Sequence, residues 1–230
     1  MQQRFDFACA DLDRWREALR PLLATIETRP RRSPIGALVK SLISGRTRDA
    51  VSLAAYERLR RRFPSPAALA RASVGQVQHA IADVTFAEAK AQWLTETMRQ
   101  IARDRPDFDL AFLGRIPLDA ALMWLERLPG IARKVAAATL NGSTLNRPIF
   151  IVDTHVLRVM QRLGFVGHGA DIQTASEQVT AGAPNWSGDD FLLFHIGTKR
   201  VGQLFCRPDI PHCAHCPLAF DCPSANALAD

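Results

Sequence analysis

"LERLPGIARKVAAATLNG", residues 125 to 142, contains a helix that stops at Leu128, a Pro-Gly break, and a second helix that stops near Asn141 and Gly142. Gly130 can take the positive φ that so short a turn demands. The stretch therefore reads as helix, tight turn, helix. The backbone N–H groups of Ile131, Ala132 and Arg133 fall at the N-terminus of the second helix and are expected to be unpaired. Free donors together with the positive end of a helix dipole make a seat for phosphate. Such a seat grips a nucleic-acid backbone without reading its sequence. An ordinary corner in a helical bundle has the same pattern, so the turn alone does not choose between them. Lys134 lies in the first turn of the second helix, where the dipole and Arg133 both disfavour an ammonium. A neutral amine at that place is a nucleophile.

On either side of this hairpin the apolar residues keep helical spacing. In "SPIGALVKSLISGRTRD", Ser33 can cap and Pro34 suits a first turn, while Ile35, Leu38, Val39, Leu42 and Ile43 share one face. Further helices are expected near 11–25, 50–62, 66–72, 74–82, 87–103, 119–127, 132–141, 155–163, 172–181 and 188–201. Only "PIFIV", Pro148 to Val152, reads as a short β-like run. The chain is expected to be all-α, without repeats or long linkers.

"IVDTHVLRVMQRLGF" places Asp153 before a helix whose Val156, Val159, Met160 and Leu163 lie on one side. Asp153 reads first as an N-cap. A carboxylate held by a cap is fixed in direction and stays ionised, which suits it to stabilise an oxocarbenium-like transition state. His155 and His195 read as locally bonded neighbours rather than as bases or ligands.

A formal charge of +6 and a pI near 9.5 favour a polyanionic partner, nucleic acid first. The cluster Arg58, Arg60, Arg61 and Arg62 reads as a solvated helix face. No apolar run is long enough to span a membrane, and the first twenty residues lack the pattern of a signal or transit peptide. The expected location is the cytoplasm.

Four of the five cysteines stand as C-x6-C-x2-C-x5-C at Cys206, Cys213, Cys216 and Cys222. In a reducing compartment such thiols point to metal or redox chemistry rather than to disulfides. Zinc prefers two close pairs, and only Cys213 and Cys216 make one; four spread thiolates suit an iron-sulfur cubane better. Both readings stand on the spacing alone. Pro208, Pro211, Pro217 and Pro223 keep the segment from becoming a helix. Cys9 reads as a small apolar residue.

Taken in order, "SPIGALVKSLISGRTRDAVS", "LPGIARKVA", "VDTHVLRV" and the cysteine spacing resemble the helix-hairpin-helix DNA glycosylases of the endonuclease III family, over about residues 30 to 223. The resemblance implies two all-α lobes with DNA across the cleft between them. One is a six-helix barrel, residues 27–147; the other joins residues 1–26 to 148–230 and carries a 4Fe-4S cluster on the four cysteines. It implies a monomer acting on double-stranded DNA that contains a damaged or mismatched base. Lys134 takes the place of the nucleophilic lysine and Asp153 that of the catalytic aspartate. Gly130, Ile131, Ala132 and Arg133 hold phosphate, and the activity is base excision with AP lyase strand nicking on a modified or deaminated pyrimidine.

Three departures fall on parts that touch DNA. Ala132 replaces a second hairpin glycine. Arg46 stands where the family has a glutamine that probes the space behind the flipped base. Phe86 stands where a leucine wedge is found, and Thr85 replaces the glycine before it. Arg46 reads equally as a contact to an orphan guanine or as an exposed helix-end cation. Phe86 reads as an intercalating wedge or as a core residue, the core reading slightly ahead. Two other functions fit the same residues: a monofunctional glycosylase using water activated by Asp153, and a non-catalytic DNA-binding protein with a structural metal loop.

Overall fold

A computed structural model describes residues 2–24 and 30–226. In chain order the helices are α1 (Gln2–Leu23), α2 (Pro34–Ser44), α3 (Asp49–Arg62), α4 (Pro66–Arg71), α5 (Val74–Ala80) and α6 (Ala87–Asp104). They continue with α7 (Leu118–Glu126), α8 (Arg133–Gly142), α9 (Thr154–Arg162), α10 (Ile172–Gly182), α11 (Gly188–Leu204) and α12 (Pro223–Asn226). Three short 3-10 turns, Ala111–Gly114, Cys213–His215 and Ala219–Asp221, complete the set. No strand occurs among the described residues; Arg32 and Ser143 form an isolated bridge. The fold is all-α, as the periodicity requires. α1 begins well before the expected residue 11, and the expected end of that helix at residue 25 lies outside the described residues.

The chain divides into two units, one of residues 1–30 and 146–230, the other of residues 31–145. The change of lobe expected between residues 26 and 27 lies outside the described residues.

In the unit of residues 31–145, α2 packs against α3, α6 and α8. Its Leu38, Leu42 and Ile43 are buried, as are Ala136, Ala137 and Leu140 of α8. Small residues on α8 allow the helices to approach closely. Hydroxyl caps set the helix starts: Ser33 accepts from the Gly36 N–H, Ser65 from Ala68, and Ser73 makes a capping box with Gln76. Pro34 and Pro66 occupy first-turn positions where no N–H is needed.

In the other unit, Leu12, Trp15 and Leu19 of α1 meet Phe150, Val156, Val159, Met160, Phe191 and Phe194 in one core. Phe194 lies 5.3 Å from Phe150 and 5.1 Å from Trp186, ring centre to ring centre. At Gly202 an added Cβ would come within 2.8 Å of the His155 backbone oxygen, so glycine permits α11 to cross α9. The expected β-like run at 148–152 is extended but pairs with no strand. Its backbone bonds to side chains instead: Phe150 N–H donates to Thr180 Oγ1 (3.0 Å), Phe150 O accepts from Ser176 Oγ (2.7 Å), and Ile151 O accepts from His195 Nδ1 (2.7 Å). A buried extended segment needs its polar groups satisfied, and hydroxyls on α10 meet that need without a sheet.

The hairpin turn makes a steric demand that only glycine meets. Gly130 has φ 71°, and an added Cβ would lie 2.6 Å from the Trp93 Cβ. Gly130→Ala is expected to destabilise the protein by about 2–4 kcal/mol, from left-handed strain plus overpacking. Urea unfolding of the variant beside the wild type checks this.

Candidate functional site

The hairpin differs in one respect from its expected form. The Ile131 N–H is not free: it donates to Leu128 O at 3.1 Å and is spent closing the turn, while the Ile131 side chain is buried. α8 then starts at Arg133 with no capping side chain on Ala132. Ala132 has φ −97° and ψ 174°, extended backbone open to any residue, and it is exposed. The turn therefore accepts the alanine Cβ without shifting. The Arg133 guanidinium pairs with Glu126 (Nε to Oε1, 2.5 Å), so its side chain locks α7 to α8. Thr97 Oγ1 donates to Pro129 O at 2.7 Å and ties the turn to α6.

Lys134, half-buried, directs its amine at the last turn of α2: Nζ lies 3.3 Å from Ser44 Oγ and 3.5 Å from Ser41 O. A second lysine reaches the same helix end. Lys90 of α6 is only 4% exposed, and its Nζ donates to Ile43 O (3.0 Å), to Gly45 O and to Thr47 Oγ1 (3.2 Å). Burial, and after it the charge of Lys134, lowers the Lys90 pKa to about 8. Sequence reasoning missed Lys90. The signal was there: it shares the apolar stripe of α6 with Ala91, Leu94, Met98 and Ile101.

Asp153, in the other unit, caps α9 as expected, with Oδ1 accepting from the N–H groups of His155 (2.9 Å) and Val156 (3.0 Å). Burial alone would raise its pKa. His195, the Val156 amide, Lys199 and His155 outweigh that and hold the carboxyl below its ordinary value, so it is ionised at neutral pH. His195 and Lys199 stand four residues apart on α11, a spacing that puts both on one face and was legible in the sequence. His195 is fixed by the bond to Ile151 O already described, and Nδ1 must be its donor there.

Arg46 and Phe86 are brought together. Both are exposed, Phe86 by 57%, which overturns the core reading of Phe86. The Arg46 guanidinium carbon lies 5.9 Å from the centre of the Phe86 ring. Both backbones are left-handed, with φ 52° and 58°. Phe86 turns outward because it is the non-helical residue just before α6.

The four cysteines converge. Cys206, Cys213, Cys216 and Cys222 line one cavity of about 360 Å³, with Arg162, Phe205 and Pro211 also on its wall. Arg162 Nη1 donates to Cys206 Sγ (3.3 Å) and to Arg207 O (2.7 Å). Asp221, between the last two thiols, accepts from Trp15 Nε1 at 2.7 Å and pairs with Arg14, which fastens the segment to α1. Among the described residues no three thiol, imidazole or carboxylate groups converge on a point that would hold a single ion. The sulfurs instead surround a space. Burial, with the neighbouring cysteines adding to it, raises the Cys216 and Cys222 thiols above their ordinary value.

A family model described as "HhH-GPD superfamily base excision DNA repair protein" matches residues 39–181. Endonuclease III homolog 2, chloroplastic, of Arabidopsis thaliana is 31% identical over 206 residues, which cover 85% of this chain and 50% of that protein. The chain thus spans about half the length of that relative. Endonuclease III of Synechocystis sp. is 29% identical over 196 residues, covering 85% of this chain and 83% of its own. Among solved structures, a trapped endonuclease III-DNA covalent intermediate in an estranged-adenine complex has a TM-score of 0.76 at 20% identity, covering 100% of this chain and 99% of that one. A thermostable thymine-DNA glycosylase has a TM-score of 0.76 at 15% identity, covering 95% and 98%. The structural likenesses establish the fold. No helix among the described residues is long and apolar enough to cross a membrane.

The lowered Asp153 pKa has a consequence for stability. A carboxyl whose folded pKa is depressed contributes stability above its unfolded pKa and loses it as pH falls through the folded value. Asp153→Asn, which keeps an amide oxygen for the cap, is expected to be less stable than wild type by about 1 kcal/mol near neutrality. The gap should close as pH falls below about 4. Urea unfolding at several pH values measures it.

Proposed function

Because the chain belongs to the HhH-GPD superfamily of base excision DNA repair proteins, we propose that it is a DNA glycosylase with AP lyase activity that removes a modified or deaminated pyrimidine from duplex DNA. The observation that carries this reading is the Lys134 amine, half-buried in the first turn after the hairpin and crowded by a second ammonium at Lys90. An amine at that place acts as a nucleophile once it gives up its proton.

The target nucleotide is extruded from the duplex at the cost of a few kcal/mol of stacking. The Lys134 Nζ forms a bond to C1′ as the glycosidic bond breaks and the base departs with its electron pair. Asp153, ionised and aimed by its cap, stabilises the positive charge that develops at C1′. Ring opening leaves a Schiff base on Lys134; loss of a C2′ proton then expels the 3′ phosphate. Backbone donors at the start of α8 seat a phosphate on the flank, with Gly130 providing the turn. The unit of residues 31–145 takes the part of the barrel lobe and the other unit that of the cluster lobe. The protein works as a monomer on nucleoid DNA in the cytoplasm.

A 4Fe-4S cluster fits the thiol cavity. Four sulfurs line one cavity, and Arg162 offsets thiolate charge on its wall. Cys206, Cys213, Cys216 and Cys222 would each hold one iron. When bound, the cluster supplies a covalent cross-link through a segment that has little apolar core of its own.

One observation favours a second reading. Lys134 Nζ lies within hydrogen-bond reach of two acceptors at the end of α2, a setting that also suits an ammonium gripping phosphate while Asp153 activates water. Borohydride reduction in the presence of lesion-bearing or abasic duplexes separates the two. The expected result is a covalent protein-DNA adduct that Lys134→Ala abolishes; base release without an adduct selects the monofunctional enzyme. Asp153→Asn is expected to slow base release by about 100-fold or more while DNA binding persists. Protein purified without oxygen is expected to carry about four irons and a visible charge-transfer band. Cys213→Ser should lose both and melt at a lower temperature; a colourless zinc protein would refute the cluster.

A further inference from the structure

A cavity of about 150 Å³ opens between α2, α3, α4 and α6, in the unit of residues 31–145. Val39, Leu59, Phe63, Leu69 and Met98 give it apolar walls, and all of these but Phe63 are buried. Apolar walls hold water poorly, and a space of about this volume is enough for a benzene-sized group. Ser33, Ile35 and Gly36 bring the start of α2 to the cavity, whereas Lys134 approaches Ser44 at the other end of that helix, about 16 Å away. The cavity is therefore separate from the residues to which the excision chemistry is assigned.

One side of this cavity is polar and positive. Tyr56 is 6% exposed and lines it, and the phenol proton reaches no acceptor among the described residues. Burial raises the Tyr56 pKa against the charges of Arg32 and Arg60, so at neutral pH the phenol keeps its proton and can donate it. The Arg32 and Arg60 guanidinium carbons lie 5.1 and 5.9 Å from the centre of the Tyr56 ring. Arg32 pairs with no carboxylate among the described residues, and Arg60 makes one loose pair, at 3.6 Å, with Glu57. The helix start adds a donor. Gly36 N–H goes to Ser33 Oγ (3.3 Å) and Ala37 N–H to Ser33 O (2.9 Å), Pro34 has none, and the Ile35 N–H meets no acceptor among the described residues. At Gly36 an added Cβ would lie 2.8 Å from Tyr56 Oη and 3.2 Å from Ser33 Oγ, so glycine keeps the corner between the phenol and the helix start clear.

We propose that this cavity is a binding site for a small apolar carboxylate: a benzoate-sized acid whose ring or branched chain fills the apolar space while its carboxylate takes the Tyr56 O–H and the Ile35 N–H beside the Arg32 and Arg60 guanidinium groups. Hydrogen bonds to an anion are about twice as strong as those between neutral groups, and the positive end of α2 favours the same charge. Donors and charge lie on one side of the cavity and apolar walls on the other. That arrangement favours an acid with an apolar body over a bare phosphate, which leaves the walls empty, and over an uncharged ring, which leaves the donors unmet.

Tyr56 is the only tyrosine of the chain, so the full-length protein with isotope-labelled tyrosine rings gives one magnetic-resonance signal at the site. Sodium benzoate, benzyl alcohol and inorganic phosphate are titrated separately at neutral pH and constant ionic strength. Benzoate is expected to shift the signal saturably, with a Kd on the order of 1 mM for so small a ligand. Benzyl alcohol should bind about ten-fold more weakly, and phosphate should give no saturable shift. Arg32→Gln and the more exposed Arg60→Gln should each weaken benzoate binding by about five-fold. Tyr56→Phe, followed by equilibrium dialysis with radiolabelled benzoate, should weaken it by about ten-fold, and Gly36→Ala, which closes the corner, should do the same. Near-ultraviolet circular dichroism matching wild type shows that each variant is folded. Absence of a saturable benzoate shift well above the expected Kd overturns the site. Equal affinity for benzyl alcohol or for phosphate overturns the ligand class. Folded Tyr56→Phe and Arg32→Gln proteins that bind benzoate as wild type does overturn the seat assigned to the carboxylate.

Discussion

The carbonyl groups that α2 leaves unpaired at its C-terminal end determine where two inward-facing lysines of residues 31–145 can be. A helix cannot bond its own last carbonyls, and they carry the negative end of its dipole. Two lysines from distant parts of the sequence meet that end: Lys90 at Ile43 O and Gly45 O, and Lys134 at Ser41 O and Ser44 Oγ. A buried ammonium without such acceptors would carry a desolvation cost of several kcal/mol or lose its proton. Lys90 takes an intermediate course, with three good acceptors and a pKa drawn down to about 8. Packing serves this arrangement: the alanines of α8 bring Lys134 to α2, and the apolar stripe of α6 brings Lys90.

The other unit meets the opposite problem, keeping a carboxylate charged while largely enclosed. Its solution begins with the extended stretch before α9. Because Ser176, Thr180 and His195 satisfy that backbone, the stretch can run through the core and deliver Asp153 at a helix start with its direction set. Two amides of α9 then donate to the carboxylate, and His195 and Lys199 on α11 add positive potential. Gly202 is what lets α11 come close enough to do so. The cap that starts the helix also fixes the direction of the carboxylate, which is what the role proposed for it requires.

Features carried by local pattern were legible in the sequence. The helices follow from apolar spacing and from caps such as Ser33, Ser65 and Ser73; the hairpin follows from Pro129 and Gly130; the thiol segment follows from cysteine spacing. Features decided by long-range partners were not. Nothing near Phe150 says that hydroxyls of α10 replace a strand. Phe86 looked like core because aromatic residues usually are, yet the last residue before α6 must leave the helical path, and that exposes it. Lys90 was passed over because lysine on a helix is normally solvated. Its register with Leu94 and Ile101 was the clue, and its meaning required knowing that the end of α2 lies opposite.

The positions where this chain departs from its family do not weigh equally. Ala132 costs nothing, since its extended backbone and exposed Cβ ask for no glycine. Arg46 and Phe86, by contrast, sit in strained backbone that glycine would relieve, and the Thr47 hydroxyl ties the two turns together, accepting from the Thr85 N–H and from Lys90 Nζ. A chain under no demand at these positions would relax them, because exposed strain gains nothing by itself. Lys134 and Asp153, to which the proposed function assigns the chemistry, are supported by different atoms: α2 carbonyl and hydroxyl groups in one case, α9 amides in the other. The Arg46 and Phe86 turns therefore rest on supports separate from the atoms that hold Asp153, and a substitution of either exposed side chain leaves the amine of Lys134 and that carboxylate where they are.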